Sequence, residues 1–390
     1  MEKSLKKRSS FSDSTFSGAH GAMEKSMRKK LTLLFAVALM AFPATAFANE
    51  LPQLTTQEAT RRAINNSTAI RNAQDNISLT REQEQRQRDI LWSNNVATSA
   101  DFFRFEALML SLDAQRAVNH TNIAVQRATL EFVVNNHFSN ITNAQNELYN
   151  FDKNLSIQTR DLENLRIMVD LGMASQSQLD MANNAYQQAL HNRANLESSV
   201  YTAFRELNRL MGTSQNDVYE LVFELNFEPI LADINIANYI RLHQNNDVQI
   251  EMARNQLNLA RFELDNHRAQ TNPITGAVIP GGTTFAEREI SVAQANRDLN
   301  DARDRVHNNV TDLHNNIISL QLSIEAMLLQ LSILQQEQEI REVQYSVGNI
   351  TALELDRAAI QIYNLQENVR RQQATHTLLV MQLTNPNIAI

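Results

Sequence analysis

The sequence predicts a mainly α protein, with little β, built from two tandem repeats of long antiparallel coiled-coil helices. Three observations predict it. No proline occurs between Pro52 and Pro229, or between Pro280 and Pro386. An interior proline removes a hydrogen bond and clashes with the preceding turn, so its absence favours long helices. Apolar positions then step by three or four residues over very long stretches. One runs through Leu130, Val134, His137, Ile141, Ala144, Leu148, Phe151 and Leu155 and continues through Leu162, Leu165 and Val169. The other runs through Leu299, Ala302, Val306, Val310, Leu313, Ile317, Leu320, Ile324, Met327, Leu331 and Leu334. Both are heptad-like seams. Finally, one short segment is spelled twice: Leu171-Gly172-Met173-Ala174-Ser175, with Leu179-Asp180 after it, and Val347-Gly348-Asn349-Ile350-Thr351, with Leu355-Asp356 after it.

The N-terminus comes first in chain order. Lys25, Arg28, Lys29 and Lys30 precede an apolar stretch from Leu31 to Phe42, and Ala46-Phe47-Ala48 has the small-x-small pattern of a cleavage site. This predicts an N-terminal extension and signal peptide over residues 1–48, with Met23 or Met27 as the start, and an exported chain. The apolar stretch is too short to span a bilayer, and no later segment is expected to do so. Removing residues 1–48 takes away 8 of the 35 basic and 3 of the 43 acidic residues, leaving a net charge of −13. Such a surface disfavours nucleic acid, whose phosphates need basic partners. There is no cysteine, which excludes disulfides, thiolate metal sites and a cysteine nucleophile.

The first repeat is expected over residues 49–228, with helices at about 55–91, 101–169 and 176–211. The second is expected over 229–390, with helices at about 235–269, 286–345 and 351–384. Asn65-Asn66-Ser67 and Asn245-Asn246-Asp247 stand in matching places, about 180 residues apart. Gly172 and Gly348 fit helix C-termini that need a positive φ. Ser175 and Thr351 fit the N-caps of the returning helices. Between the repeats, Tyr219, Leu221, Phe223, Leu225 and Phe227 share one parity, so Val218–Phe227 reads as a short half-buried strand closed by Pro229.

No enzymatic signature is present: no nucleophile elbow, phosphate-binding glycine loop or His-Glu-x-x-His. No cofactor or metal is expected. His307 and His314 are seven residues apart and read as exposed coiled-coil histidines, because no third ligand sits at metal spacing. The acids near the tips, Asp170, Asp180, Glu354 and Asp356, have two readings. One is capping and solvation. The other is an acidic constriction, with Arg341 and Arg357 as the basic half of an ion network that locks an aperture.

The chain resembles the TolC-like outer membrane efflux proteins. The residues that carry the resemblance are Leu54-Thr55-Thr56-Gln57-Glu58-Ala59 before a helix with Asn65-Asn66, the helix end Leu207-Asn208-Arg209-Leu210-Met211-Gly212, and the two tips. The resemblance implies a homotrimer whose helices form a hollow barrel in the cell envelope. It implies that the tips, Leu171 to Ser175 and Val347 to Thr351, dock a periplasmic adaptor (membrane fusion) protein and an inner-membrane transporter. It also implies barrel strands near 92–105 and 270–286. Both windows are shorter than the roughly 20 residues that two spanning strands and a turn require, so both read as turns. A passive efflux duct is therefore expected, with an exported helical interaction protein lacking a pore as the alternative.

Overall fold

The computed structural model describes residues 51–93, 99–223, 227–230, 234–267 and 283–388. The expected signal segment, most of the second window and residues 94–98 of the first lie outside the described residues. The fold is mainly α, as expected. In chain order it comprises β1 (Gln53–Thr55), α1 (Thr56–Asn66), α2 (Thr68–Ser93), α3 (Ser99–Asp170), α4 (Gln176–Met211), β2 (Glu220–Val222), α5 (Ile236–Asn246), α6 (Val248–Asp265), α7 (Phe285–Ser346) and α8 (Ala352–Thr384).

Two of the expected helices are each divided. The helix expected at 55–91 is α1 and α2, broken at Ser67, whose side-chain oxygen accepts from the Ile70 amide at 3.3 Å. The helix expected at 235–269 is α5 and α6, broken at Asp247, whose carboxylate accepts from the Ile250 amide at 2.8 Å. The matching Asn-Asn-Ser and Asn-Asn-Asp triplets are thus helix breaks, each with a new N-cap. In the first window, residues 99–105 are helix rather than turn: α3 already includes Phe102, Phe103 and Phe105.

Of the strand expected at Val218–Phe227, Glu220–Val222 is paired, while 224–226 lie outside the described residues. Its partner, β1, was not expected; only a helix from about residue 55 was. The two strands run parallel, Gln53 opposite Glu220, Leu54 opposite Leu221 and Thr55 opposite Val222. The parity holds: Tyr219 is buried and Leu221 and Phe223 half-buried, while Glu220 and Val222 are exposed. Leu54 joins Ala59, Ala63, Val134, Phe138, Ile141, Phe204 and Leu207 in one core cluster.

The long helices lie side by side rather than around a globular core. At 1.5 Å per residue, the 72 residues of α3 span about 108 Å and the 62 of α7 about 93 Å. Toward the hairpins the neighbours run α4, α3, α8, α7; toward the opposite end they run α2, α3, α6, α7. The predicted seams are the buried faces. Val134 and Ile141 are buried on α3, and Val310, Ile317 and Ile324 on α7.

One expectation is corrected here. Within α7, the stretch Ile317–Leu334 contains a single charged residue, Glu325. By length and composition α7 is long and apolar enough to cross a membrane, with only 17% of its apolar window buried. The sequence pattern hid this because two apolar stripes share the segment. One stripe packs on α8. The other, Leu322, Leu329, Ile333, Ile340 and Val343, is 55–68% exposed.

Two histidines, His243 and His376, are buried. His376 of α8 is fully buried, its ring edge-on to Phe227 at 4.8 Å, and neither nitrogen has a partner among the described residues. The His243 ring Nε2 meets the Leu383 carbonyl at 2.8 Å. Burial pushes His376, His243 and His137 below the ordinary 6.5, with the Glu206 carboxylate partly opposing this at His137. The folded state therefore binds fewer protons than the unfolded chain near pH 6. The stabilisation is present above the unfolded value of 6.5 and is lost as pH falls through it toward the lowered folded values. The urea midpoint of the mature chain is expected to drop between about pH 7.5 and pH 5, and His376→Leu to reduce that drop. A pH profile identical to wild type in the variant would remove His376 from this account.

Candidate functional site: the paired hairpin tips

The two hairpins are built by the same local chemistry. At the first, the Gly172 amide donates to the Val169 carbonyl at 2.9 Å and the Met173 amide to the Met168 carbonyl at 2.8 Å. At the second, the Gly348 amide donates to Tyr345 at 2.9 Å and the Asn349 amide to Gln344 at 2.8 Å. This is the two-bond C-terminal cap that closes a helix with a left-handed residue. Gly172 and Gly348 supply it, with φ of 72° and 79°. The returning helices start with reciprocal N-caps: Ser175 with Gln178, and Thr351 with Glu354. Each turn thus satisfies its own backbone within a few residues.

The outward face of the tips is largely apolar and open. Leu171, Met173 and Val347 are 65–70% exposed, Asn349 is exposed, and Ala174 and Ile350 are half-buried. Beside the second tip, hydrogen bonds from the Thr351 amide and hydroxyl hold the Glu354 carboxyl below its ordinary range, with Arg357 and Arg341 adding a smaller effect. Asp180 accepts from Gln176 Nε2 at 3.0 Å.

Just above the tips, two ion pairs join α3 to α8. Arg160 pairs with Asp356 at 2.7 Å and Arg357 with Asp161 at 2.6 Å. The sequence pattern singled out Asp356 and Arg357 but not Arg160 and Asp161, which sit on α3 well before the tip. Their adjacency as an Arg-Asp dipeptide opposite Asp356-Arg357 is the signal that reading missed. Upward along the same seam the contacts stay polar or aromatic. Asn150 bonds Asn364, Tyr149 packs on Tyr363 at 5.6 Å, and Arg370 donates to Asn143 at 3.0 Å. Burial pushes the Tyr363 hydroxyl up to about 12. The first hairpin also carries a polar crossing, Arg193 of α4 donating to Asp152 of α3 at 2.7 Å, but polar and aromatic contacts recur along the α3–α8 seam.

Both His307 and His314 were expected to be exposed. His307 is exposed but His314 is half-buried, and its Nε2 has no partner among the described residues. Among the described residues, no three of His, Asp and Glu converge on a metal position.

Comparison with solved structures decides the architecture. The chain superposes on VceC, an outer membrane protein of Vibrio cholerae, with a TM-score of 0.62 at 12% identity, over 84% of this chain and 95% of that one. The fold is that of the TolC-like outer membrane channels. A membrane protein of Pseudomonas aeruginosa aligns with a TM-score of 0.56 at 14% identity, over 88% of this chain and 99% of that one. The Campylobacter jejuni outer membrane channel CmeC aligns with a TM-score of 0.55 at 11% identity, over 90% and 94%. No protein-family model and no curated protein matches the sequence. A rod of this fold can be built from very different sequences because a seam position asks only for an apolar side chain of suitable size.

The glycines give a direct test of the turn chemistry. A Cβ on Gly172 or Gly348 would meet nothing within 4 Å, so only the left-handed φ opposes substitution. At Gly212 a Cβ would stand 2.6 Å from the Asn66 carboxamide, which caps α4 by donating to the Arg209 and Leu210 carbonyls. Gly172→Val and Gly348→Val are each expected to destabilise by about 1–2 kcal/mol. Gly212→Ala is expected to destabilise by about 2–4 kcal/mol, strain and overpacking combined. Urea midpoints order the three variants, and Gly212→Ala as the mildest would contradict the Asn66 contact.

Proposed function

We propose that the chain is a passive export duct, with no catalytic role, in which three copies close into a ring of antiparallel rods. The hairpin tips form its mouth and meet a periplasmic adaptor and an inner-membrane transporter. On this reading the chain is two structural repeats behind a cleaved leader, working in the cell envelope.

The observation that carries the ring is the second apolar stripe on α7. A rod in the wall of a cylinder has a neighbour on each side and so needs two seams. Within one chain, α3 and α8 have both neighbours, while α4 and α7 are edges. If α7 of one copy lies against α4 of the next with the tips level, the exposed apolar residues come into register. Ile340 falls opposite Met181, Ile333 opposite Leu190 and Leu322 opposite Tyr201, all exposed in the single chain. Tyr201 also lines an open cleft of 470 Å³ between α4 and residues 215–218. Such a contact is heterologous and closes into a ring.

The α3–α8 seam suits the moving part. Each ion pair above the tips is half exposed, so each contributes about 0.2–1 kcal/mol after solvent screening. Six pairs in three copies give about 1–6 kcal/mol, the range that shifts a closed-to-open equilibrium without locking it. Asp170, Asp180, Arg341, Glu354, Asp356 and Arg357 then belong to the aperture gate, with Arg160 and Asp161 added. The open mouth is polar, lined by acids that favour cations.

One observation favours a second reading, an exported ring or bundle without its own membrane pore. Only five residues separate Ser93 from Ser99 and nineteen separate Asp265 from Phe285. Two spanning strands with a turn need at least about 20 residues.

Two measurements test these readings. Light scattering of the purified mature protein is expected to give a trimer, and Ile333→Asp with Leu329→Asp a helical monomer. A wild-type monomer would end the duct reading. In planar bilayers the trimer is expected to conduct, and Arg160→Ala with Arg357→Ala to raise the open fraction several-fold with unchanged helicity. A trimer that never conducts would favour the second reading.

A further inference from the structure

Methionine is the only sulfur residue of this chain, which has no cysteine. Reversible oxidation of a side chain by peroxide therefore falls on thioethers. Eight methionines lie beyond residue 48, and they divide by place. Met211 is buried, and Met109, Met327 and Met381 are half-buried. The Met327 sulfur accepts from Asn368 Nδ2 at 3.4 Å and the Met381 sulfur from Asn135 Nδ2 at 4.0 Å, so both stand inside seams between helices. The exposed ones are Met168, Met173, Met181 and Met252. Three of these four fall within fourteen residues, at the first hairpin tip.

Across that hairpin, Arg166 of α3 donates to Asn183 of α4 at 3.5 Å. Met168 and Met181 are each two residues nearer the turn, and so stand at one level. The Met168 carbonyl receives the amides of Met173 and Ala174 at 2.8 and 3.2 Å. Met168 and Met173 are thus tied through their backbones, while their side chains are 41% and 70% exposed. The second tip has no counterpart. Its residues at the matching offset of 176 are Gln344, Asn349 and Arg357. The two turns share their geometry, so the methionines are not needed to build it.

We propose that Met168 and Met173 form a reversible oxidation site, at which a peroxide changes the first tip from apolar to polar. A sulfur lone pair attacks one peroxide oxygen. The S–O bond forms as the O–O bond breaks, and the leaving hydroxide takes the proton of the transferred oxygen and departs as water. Sulfur loses two electrons and the peroxide gains them. The product is a polar, chiral sulfoxide. Its reversal consumes a dithiol, which ends as a disulfide with release of water. This chain has no thiol, so the dithiol belongs to a separate reductase. The turn survives oxidation because backbone bonds close it. The site does not need the duct reading, but its consequence rests on it. The tips then face an adaptor in an oxidising compartment. In a ring of three copies, the three first tips change and the three second tips keep Val347 and Ile350. Met181 lies against Ile340 of the next copy and is shielded.

The test treats the purified mature protein with dilute hydrogen peroxide and follows each methionine by peptide mass. Met168 and Met173 are expected to oxidise at least about tenfold faster than Met211, Met327 and Met381, with helicity unchanged. Methionine sulfoxide reductases of both stereochemical types, supplied with dithiothreitol, are expected to restore them. Binding of an apolar naphthalenesulfonate dye is expected to fall by about a third on oxidation and to recover on reduction. Met168→Leu with Met173→Leu is expected to bind dye like wild type and to lose none of it to peroxide. Rates at Met168 and Met173 no higher than at the seam methionines, sulfoxides that neither reductase repairs, loss of helicity, or equal dye loss in the double variant would each overturn the proposal. Met181 reports separately on the ring. Fast oxidation there, with Met168 and Met173 behaving as expected, would sink the three-copy contact and keep the site; a protected Met181 beside an inert pair would do the reverse.

Discussion

Everything in this structure depends on the need of a very long helix for company on its flanks. A rod of about 100 Å cannot fold back on itself, and its own hydrogen bonds do not hold it straight in water. Its stability comes from the seams it shares. Helices α3 and α8 have two seams within one chain. Helix α7 has the residues for two and the neighbours for one. That mismatch turns a sheet of rods into an argument for a closed ring, and it explains why an apolar segment long enough for a bilayer is spread along an otherwise polar surface.

The seams are not equivalent. Within the second hairpin the contact is largely aliphatic, set by residues such as Val310, Ile317 and Ile324, while the first adds the Arg193–Asp152 ion pair to its apolar contacts. Between the two halves, α3 and α8 meet through asparagines, tyrosines and ion pairs. Aliphatic burial gives large stabilisation that does not depend on register at the level of single atoms. Half-exposed ion pairs give little and are easily exchanged for water. A wall made of firm hairpins joined by a weak polar seam is stiff along the rods and yielding across them.

Much of the fold was legible because long helices write themselves as periodicity. The seam positions, the tip glycines and both N-caps could be read from spacing alone. The breaks at Ser67 and Asp247 could not, since apolar spacing continues on both sides. The Asn-Asn triplets drew notice as a repeated word, and only the structure gives them a meaning as helix breaks, with Asn66 reaching across to cap α4. The β1–β2 pair was missed on one side because three residues before a helix carry no alternation worth counting. Its partner depends on a contact 167 positions away. Arg160 and Asp161 were missed for the same reason: on α3 they look like ordinary solvated charge, and their role exists only opposite Asp356 and Arg357.

The tips divide their labour between residues in an unusual way. Shape comes from a glycine and a hydroxyl residue three positions on, with every backbone bond closed locally. The side chains that face outward take no part in that closure. The first hairpin spells its face Met173-Ala174 and the second Asn349-Ile350, on turns of the same geometry. Form and contact are therefore inherited separately. A lineage can rewrite the exposed residues of the tip, one at a time, while the turn beneath stays as it was.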